Sequence, residues 1–307
     1  MTERISFHDQ ISRNKWKSVF LIILILIVFI AIGYVTGIAM GPDYFTVIMI
    51  IATIISVLYV WLGYYNSHKI ALASVNAKSA SQSEYPHYHH SVEGLSLASG
   101  MPKPLLYIME DKNINAFASG RNPENAVICV TTGALEKLDK QELEGVLAHE
   151  LSHIANYDIR FMTLTAVLVG MVAIISQMFL RSLWWGSISG GRDRENKQQV
   201  FFILIGIILA ILAPIAVQLV QLAISRKREY TADASAVKFM RTPTGLTKAL
   251  KKIQKEHLTE REIEEEKHKI NKAVAPLFMA DPFKRKVRSF FQTHPPLEKR
   301  IEVLERM

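Results

Sequence analysis

The sequence predicts a mainly α integral membrane protein, with four transmembrane helices carrying a soluble α+β domain. Three observations predict it: four long uncharged apolar runs, tryptophans gathered at their ends, and short strand-like and helix-like segments between the second and third runs. The runs are Val19 to Ile38, Phe45 to Tyr65, Phe161 to Leu180 and Val200 to Ile224, none containing Asp, Glu, Lys or Arg. At about 1.5 Å rise per residue, a helix of about 20 residues crosses a hydrocarbon layer of about 30 Å, so each run is long enough to span. Trp16, Trp61, Trp184 and Trp185 lie at or just outside the run ends, where an indole ring favours the membrane–water boundary.

Basic residues precede the first run, as they do in a secretory signal. The run is nevertheless too long for such a signal, lacks a small-residue cleavage site and is followed at once by a second span, so it reads as a retained anchor. Arg4, Arg13, Lys15 and Lys17 lie before it, whereas the loop from Ala39 to Tyr44 has no basic residue. That bias keeps the N-terminus in the cytoplasm of a multi-pass cell-membrane (inner or plasma membrane) protein and returns residues 66–160 to the same side. Arg226, Lys227 and Arg228 close the second hairpin on that side too. Arg181, Arg192, Arg194 and Lys197 pull the other way, but Asp193 and Glu195 are mixed among them. The chain thus divides into a tail and first hairpin (1–65), a first soluble part (66–160), a second hairpin (161–224) and a second soluble part (225–307). Pro214 is expected to kink the fourth span, and Gln177, Gln218 and Gln221 to hydrogen-bond between helices.

In the first soluble part, Ala71 to Ala98 has the composition of one polar helix. Pro104 to Met109, Asn115 to Ser119 and Ala126 to Thr131 read as strands bounded by turn-forming residues. Asp139 followed by Glu142 has the form of a capping box. Leu143, Val146, Leu147, Leu151 and Ile154 then recur at helical spacing, so a helix should run to about Asn156. Residues 225–241 continue the fourth run as a helix, and Lys251 to Lys272 reads as a solvated charged helix.

Composition excludes several classes. The net charge of +8 is accounted for by lysine and arginine beside anionic lipid, and no nucleic-acid partner is expected. The run Phe283 to Phe291, although basic and aromatic, reads as a membrane-surface or substrate-facing segment. Cys129 is the single cysteine, so there is neither an internal disulfide nor a thiolate metal cluster. No ionisable residue lies in any span, which argues against a transporter.

The chemistry is concentrated in His149-Glu150-Leu151-Ser152-His153. Histidines four apart on a helix lie on one face, so both rings can reach one ion with the glutamate beside it. The bland alternative is a pair of helical histidines satisfied by ordinary hydrogen bonds. A catalytic zinc takes three protein ligands and leaves a fourth position open for water. Glu229 is the expected third ligand, with Asp233 one turn on to orient a ligand. His87, His89 and His90 are read as surface residues rather than a second metal site.

The segments Asn115-Ala-Phe-Ala-Ser-Gly120, Gly145 to Asp158, Arg228-Glu-Tyr-Thr-Ala-Asp233 and Thr293-His-Pro-Pro-Leu-Glu-Lys-Arg300 together resemble the HtpX-type membrane metalloproteases. That family is associated with heat shock and membrane protein quality control, and is related to the enzymes that trim prenylated proteins. The resemblance covers nearly the whole chain. It implies a zincin-like (gluzincin) α+β domain that binds one Zn2+ per chain through His149, His153 and Glu229, with Glu150 activating water. It implies protein or peptide substrates, membrane proteins among them, whose extended backbone pairs along Asn115, Ala116, Phe117 and Ala118. Asp233 would orient a zinc-bound imidazole, and Asn156 and Asp158 would brace the active helix. His294 matches the family's late histidine, with oxyanion stabilisation and structural capping both open. A motif set in water, preceded by Lys137, Asp139, Lys140, Glu142 and Glu144, distinguishes the chain from intramembrane proteases. A catalytically silent membrane scaffold remains the alternative.

Overall fold

The computed structural model describes residues 7–188, 226–256 and 296–307, together with Ile205, Gly206, Ile208 and Ile211. His294, the run Phe283 to Phe291, Pro214, Gln218, Gln221, most of the fourth apolar run and the far half of the charged helix lie outside the described residues. The chain is mainly helical with one small sheet. Two long helices open it, α1 (Phe7–Met40) and α2 (Pro42–Tyr65). Three helices among the described residues are long and apolar enough to cross a membrane: Ile11–Ile38, Pro42–Tyr65 and Asp158–Gln177.

Helix α1 starts well before Val19. Asn14 and Ser18 are buried there, extending backwards, at helical spacing, the buried stripe of Leu21, Ile25 and Val28. The outward faces of α1 and α2 carry Phe20, Ile23, Ile27, Ile50, Ile54, Leu58 and Trp61, all exposed. Large apolar side chains facing outward over two helices suit a lipid surroundings.

The single helix expected over Ala71 to Ala98 is two, α3 (Ser67–Ser74) and α4 (Pro86–Ser99), separated by the short strand β1 (Lys78–Ser79). Asn76 breaks the first at φ 52, and Pro86 occupies the opening turn of the second, where its missing N–H costs nothing. The three expected strands appear as β2 (Leu105–Met109), β3 (Ala116–Gly120) and β4 (Ala126–Thr131). Their order is β1-β2-β4-β3, with β2 parallel to β4 and β3 antiparallel to it at the sheet edge.

After α5 (Thr132–Lys137) comes α6 (Lys140–Ala155), then α7 (Asp158–Ile188), α8 (Arg226–Met240), α9 (Thr244–Glu256) and α10 (Leu297–Leu304). Strands β3 and β4 are buried on both faces, and side-chain alternation divides the contacts of the sheet. Leu106, Ile108, Ala116, Ala118, Ile128 and Val130 pack with Val146, Leu147 and Leu151 of α6. Met109, Phe117, Val127 and Cys129 pack with Leu21 and Ile25 of α1 and Phe161 of α7. One sheet thus packs the histidine-bearing helix on one face and the described membrane-type helices on the other.

Helices α6 and α9 approach backbone to backbone. A Cβ on Gly145 would lie 2.3 Å from the Leu246 amide nitrogen, and one on Gly245 would lie 2.1 Å from the Gln141 carbonyl oxygen. Gly145→Ala is therefore expected to destabilise the protein by about 1–3 kcal/mol, read as a lowered melting temperature; unchanged melting would contradict this helix crossing.

Candidate active site

Helix α6 begins at the expected capping box. The Glu142 amide donates to Asp139 Oδ1 at 2.8 Å, and the Asp139 amide donates to Glu142 Oε2 at 2.9 Å. Two turns further on, His149 and His153 are both buried, with their Nε2 atoms 3.2 Å apart. Helix α8 brings the Glu229 carboxylate to them: Oε2 is 3.5 Å from His149 Nε2 and Oε1 is 3.8 Å from His153 Nε2. Among the described residues these three are the one group of metal-type donors lying within 4.8 Å of one another. Around a tetrahedral ion with metal–nitrogen bonds of about 2.0–2.1 Å, neighbouring donors sit about 3.3 Å apart. The donor spacing, and the chemistry of two imidazoles with a carboxylate, fit a divalent metal.

Charge fits it as well. Among the described residues, Glu150, Asp158, Glu229 and Asp233 are buried beside the histidines, with Arg228 and Arg300 as the buried cations. Four carboxylates against two guanidiniums leave two negative charges, which a dication offsets. Burial and Arg300 both act to lower the His149 pKa, yet the Asp233 and Glu229 carboxylates outweigh them and bring it up to about 9. A proton and a metal cation answer the same negative field.

Each histidine is held from behind. His149 Nδ1 lies 2.9 Å from Asp233 Oδ1, and His153 Nδ1 lies 3.1 Å from Asp158 Oδ2. Burial alone would raise the Asp233 pKa, but Arg300 and His149 draw it below its ordinary value, so it stays a hydrogen-bond acceptor. Asp158, expected to brace the helix, contacts the second histidine directly. Asn156 forms the C-cap of α6.

Glu150 is 2% exposed. Burial raises its pKa, opposed by the neighbouring histidines, and its carboxylate accepts a hydrogen bond from the Ala118 amide. The Ala116 amide bonds to the Asn115 side chain. Both amides therefore point away from β4, toward the open edge of β3. Asn115 and Phe117 are buried at the start of this strand. His87, His89 and His90 lie on α4 and do not belong to that donor group, His89 Nε2 standing 3.0 Å from the Ala80 carbonyl oxygen.

Two residues that the sequence reading left without a role stand in this site. Arg300 of α10 is fully buried. It donates from Nε to Asp233 Oδ2 at 2.9 Å and from Nη2 to Oδ1 at 2.7 Å, and its Nη1 lies 3.4 Å from Glu229 Oε2. Its signal was its place on the stripe Leu297, Ile301 and Leu304, where a charged side chain needs a buried partner. Asn14 of α1 is the second, its signal being the polar continuation of a buried apolar stripe.

The model of Peptidase family M48 matches residues 82–307, which include every residue of the metal-type cluster. The chain belongs to peptidase family M48. Similar proteins extend the likeness over the rest of the sequence. A protein named Protease HtpX homolog from Caldanaerobacter subterraneus subsp. tengcongensis is 40% identical, covering 99% of both chains. Another, from Thermoanaerobacter pseudethanolicus, is 41% identical over 98% of both. Among solved structures, the crystal structure of S. mikatae Ste24p is similar over 92% of this chain and 61% of its own, at 19% identity and a TM-score of 0.48. Membership of an M48 peptidase family implies a metal, and the His149, His153 and Glu229 group is the site in the described chain that fits one.

Proposed function

We propose that this M48 chain is a zinc-dependent endopeptidase of the cell membrane, cleaving peptide bonds in membrane or misfolded proteins as part of membrane protein quality control. The observation that carries the proposal is the convergence of His149, His153 and Glu229 around one point, with Glu150 buried beside them. In this reading the three residues hold one zinc ion per chain within a zincin-like domain, and Asp233 and Asp158 fix the two imidazole rings. A zinc ion held there would supply Lewis acidity, lowering the pKa of a bound water toward about 7.

The residues of the chain carry the other steps. An extended substrate backbone lies along the edge strand from Asn115 to Ala118, held by main-chain hydrogen bonds, which give affinity without strict side-chain choice. Glu150 accepts the proton of the attacking water on a carboxylate oxygen and passes it to the leaving amine. Burial raises its pKa above that of an ordinary glutamate, which makes it a stronger base for that proton. His294 would stabilise the oxyanion or serve as a structural cap.

Four spans and a cytoplasmic catalytic domain complete the proposal. Asp158, at the start of α7, and Glu229, at the start of α8, both meet His153. The chain between them therefore leaves the site and returns to it, and an excursion through a bilayer that returns crosses an even number of times. This supports a hairpin over residues 161–224. One experiment tests the chemistry and the orientation together. Inside-out sealed vesicles containing the protein should cleave added casein, right-side-out vesicles should not, and o-phenanthroline should stop the cleavage until zinc is restored. Cleavage indifferent to the chelator, or none at all, would leave a different enzyme or a silent scaffold.

A further inference from the structure

We infer that Asn14, in the cytoplasmic turn of the first membrane-type helix, is a positioning residue for the metal site, fixing Asp158 and through it the ring of His153. The inference rests on the reading of His153 as a metal ligand. The Asn14 amide nitrogen donates to the Asn156 carbonyl oxygen at 3.0 Å and to Asp158 Oδ1 at 2.7 Å. The other oxygen of the same carboxylate, Oδ2, lies 3.1 Å from His153 Nδ1. All four residues are buried. Both acceptors are oxygens, so the NH2 group rather than the carbonyl of Asn14 must face them.

The two bonds do different work. The Asn156 carbonyl ends α6, where the helix has no partner of its own to offer. The bond to Asp158 fixes the rotation of a carboxylate whose second oxygen sets the orientation of His153, the kind of outer contact on which metal affinity depends. Between them lies Tyr157, at φ 58, a left-handed conformation costly for a residue with a side chain. Lys15 Nζ stands 4.5 Å above the Tyr157 ring, so consecutive residues of α1 hold the strained turn from one side. Arg228 Nη1 also stands near Asp158, 3.7 Å from Oδ1, too long for a hydrogen bond of fixed direction. Asp158 also opens α7, so the metal site senses how the first and third membrane-type helices lie against each other.

A residue that merely stabilised packing would lower the melting temperature without touching the metal. The test uses the full chain in detergent micelles, stripped of metal and titrated with zinc against a chelating dye, with the visible bands of the cobalt(II)-loaded protein as a second readout. Asn14→Leu and Asn14→Ala should weaken zinc affinity by about ten- to a hundredfold and shift the cobalt bands; should the leucine variant not fold, the alanine variant decides. Ser18→Ala should change neither, since Ser18 is buried on the same stripe but bonds only to the Asn14 carbonyl of its own helix. Asn14 variants that bind zinc as tightly as the native chain, with unshifted cobalt bands, would overturn the inference even if they melted earlier. If His153→Ala bound zinc like the native chain, the metal reading would fall first, and this inference with it.

Discussion

Glu150→Gln is expected to retain zinc and lose turnover, with kcat falling by about 10²–10⁴-fold, the range that a positioned general base contributes. The substitution is nearly isosteric, and the glutamine carbonyl still accepts the Ala118 amide bond that the carboxylate takes now. Packing around a residue 2% exposed should therefore survive. What disappears is the ability to hold a proton, since an amide oxygen is far too weak a base to take one from water at neutral pH. His149, His153 and Glu229 are untouched, so metal content by atomic absorption should match that of the native chain. A Glu150→Gln protein that still cleaved casein at the native rate would remove Glu150 from the chemistry.

Glu229→Ala is expected to fail earlier in the sequence of events, at metal binding. Zinc affinity should fall by more than the about ten- to hundredfold that outer contacts cost, because one of three direct donors goes and one negative charge goes with it. The loss is sharpened by Arg300, whose Nη1 lies 3.4 Å from Glu229 Oε2: without that carboxylate a buried guanidinium faces the two imidazoles with less to offset it. Asp233 still holds the other edge of Arg300, and α8 keeps its buried Ala232 and Ala236, so helical content by circular dichroism should hold. Native zinc stoichiometry and affinity in this variant would rule Glu229 out as a ligand.

The two variants separate steps that activity alone confuses. One leaves a loaded site that cannot move a proton, and the other a folded protein that cannot load. The Asn14 variants stand between them, with the donors present and one ring less firmly aimed.

Much of this site was legible because its signals are local. The capping box at Asp139 and Glu142, the helical recurrence of Leu143, Val146, Leu147 and Leu151, and the four-residue spacing of the histidines each report on one turn of one helix. The strand Ala126 to Thr131 was legible for the same reason, as a short apolar run between turn residues. The helix expected over Ala71 to Ala98 was not, because composition gave a uniform polar signal across a stretch in which Asn76 and Pro86 make the breaks.

Sequence by itself determined the lipid-suited lengths of the apolar runs and the helix that carries His149, Glu150 and His153, and it offered Glu229 as the candidate partner that the structure brings beside them. Each of these is written in spacing along one segment or in chemistry that only a few residue types can supply. Tertiary structure alone decided that one sheet packs that helix on one face and the membrane-type helices on the other. It also decided that Asp158 turns back on His153, and that Arg300 and Asn14 reach the site from opposite ends of the chain. The reach of Arg300 and Asn14 depends on contacts between residues more than a hundred positions apart, and that of Asp158 on the left-handed turn at Tyr157; nothing in local periodicity encodes which buried polar group will find which partner.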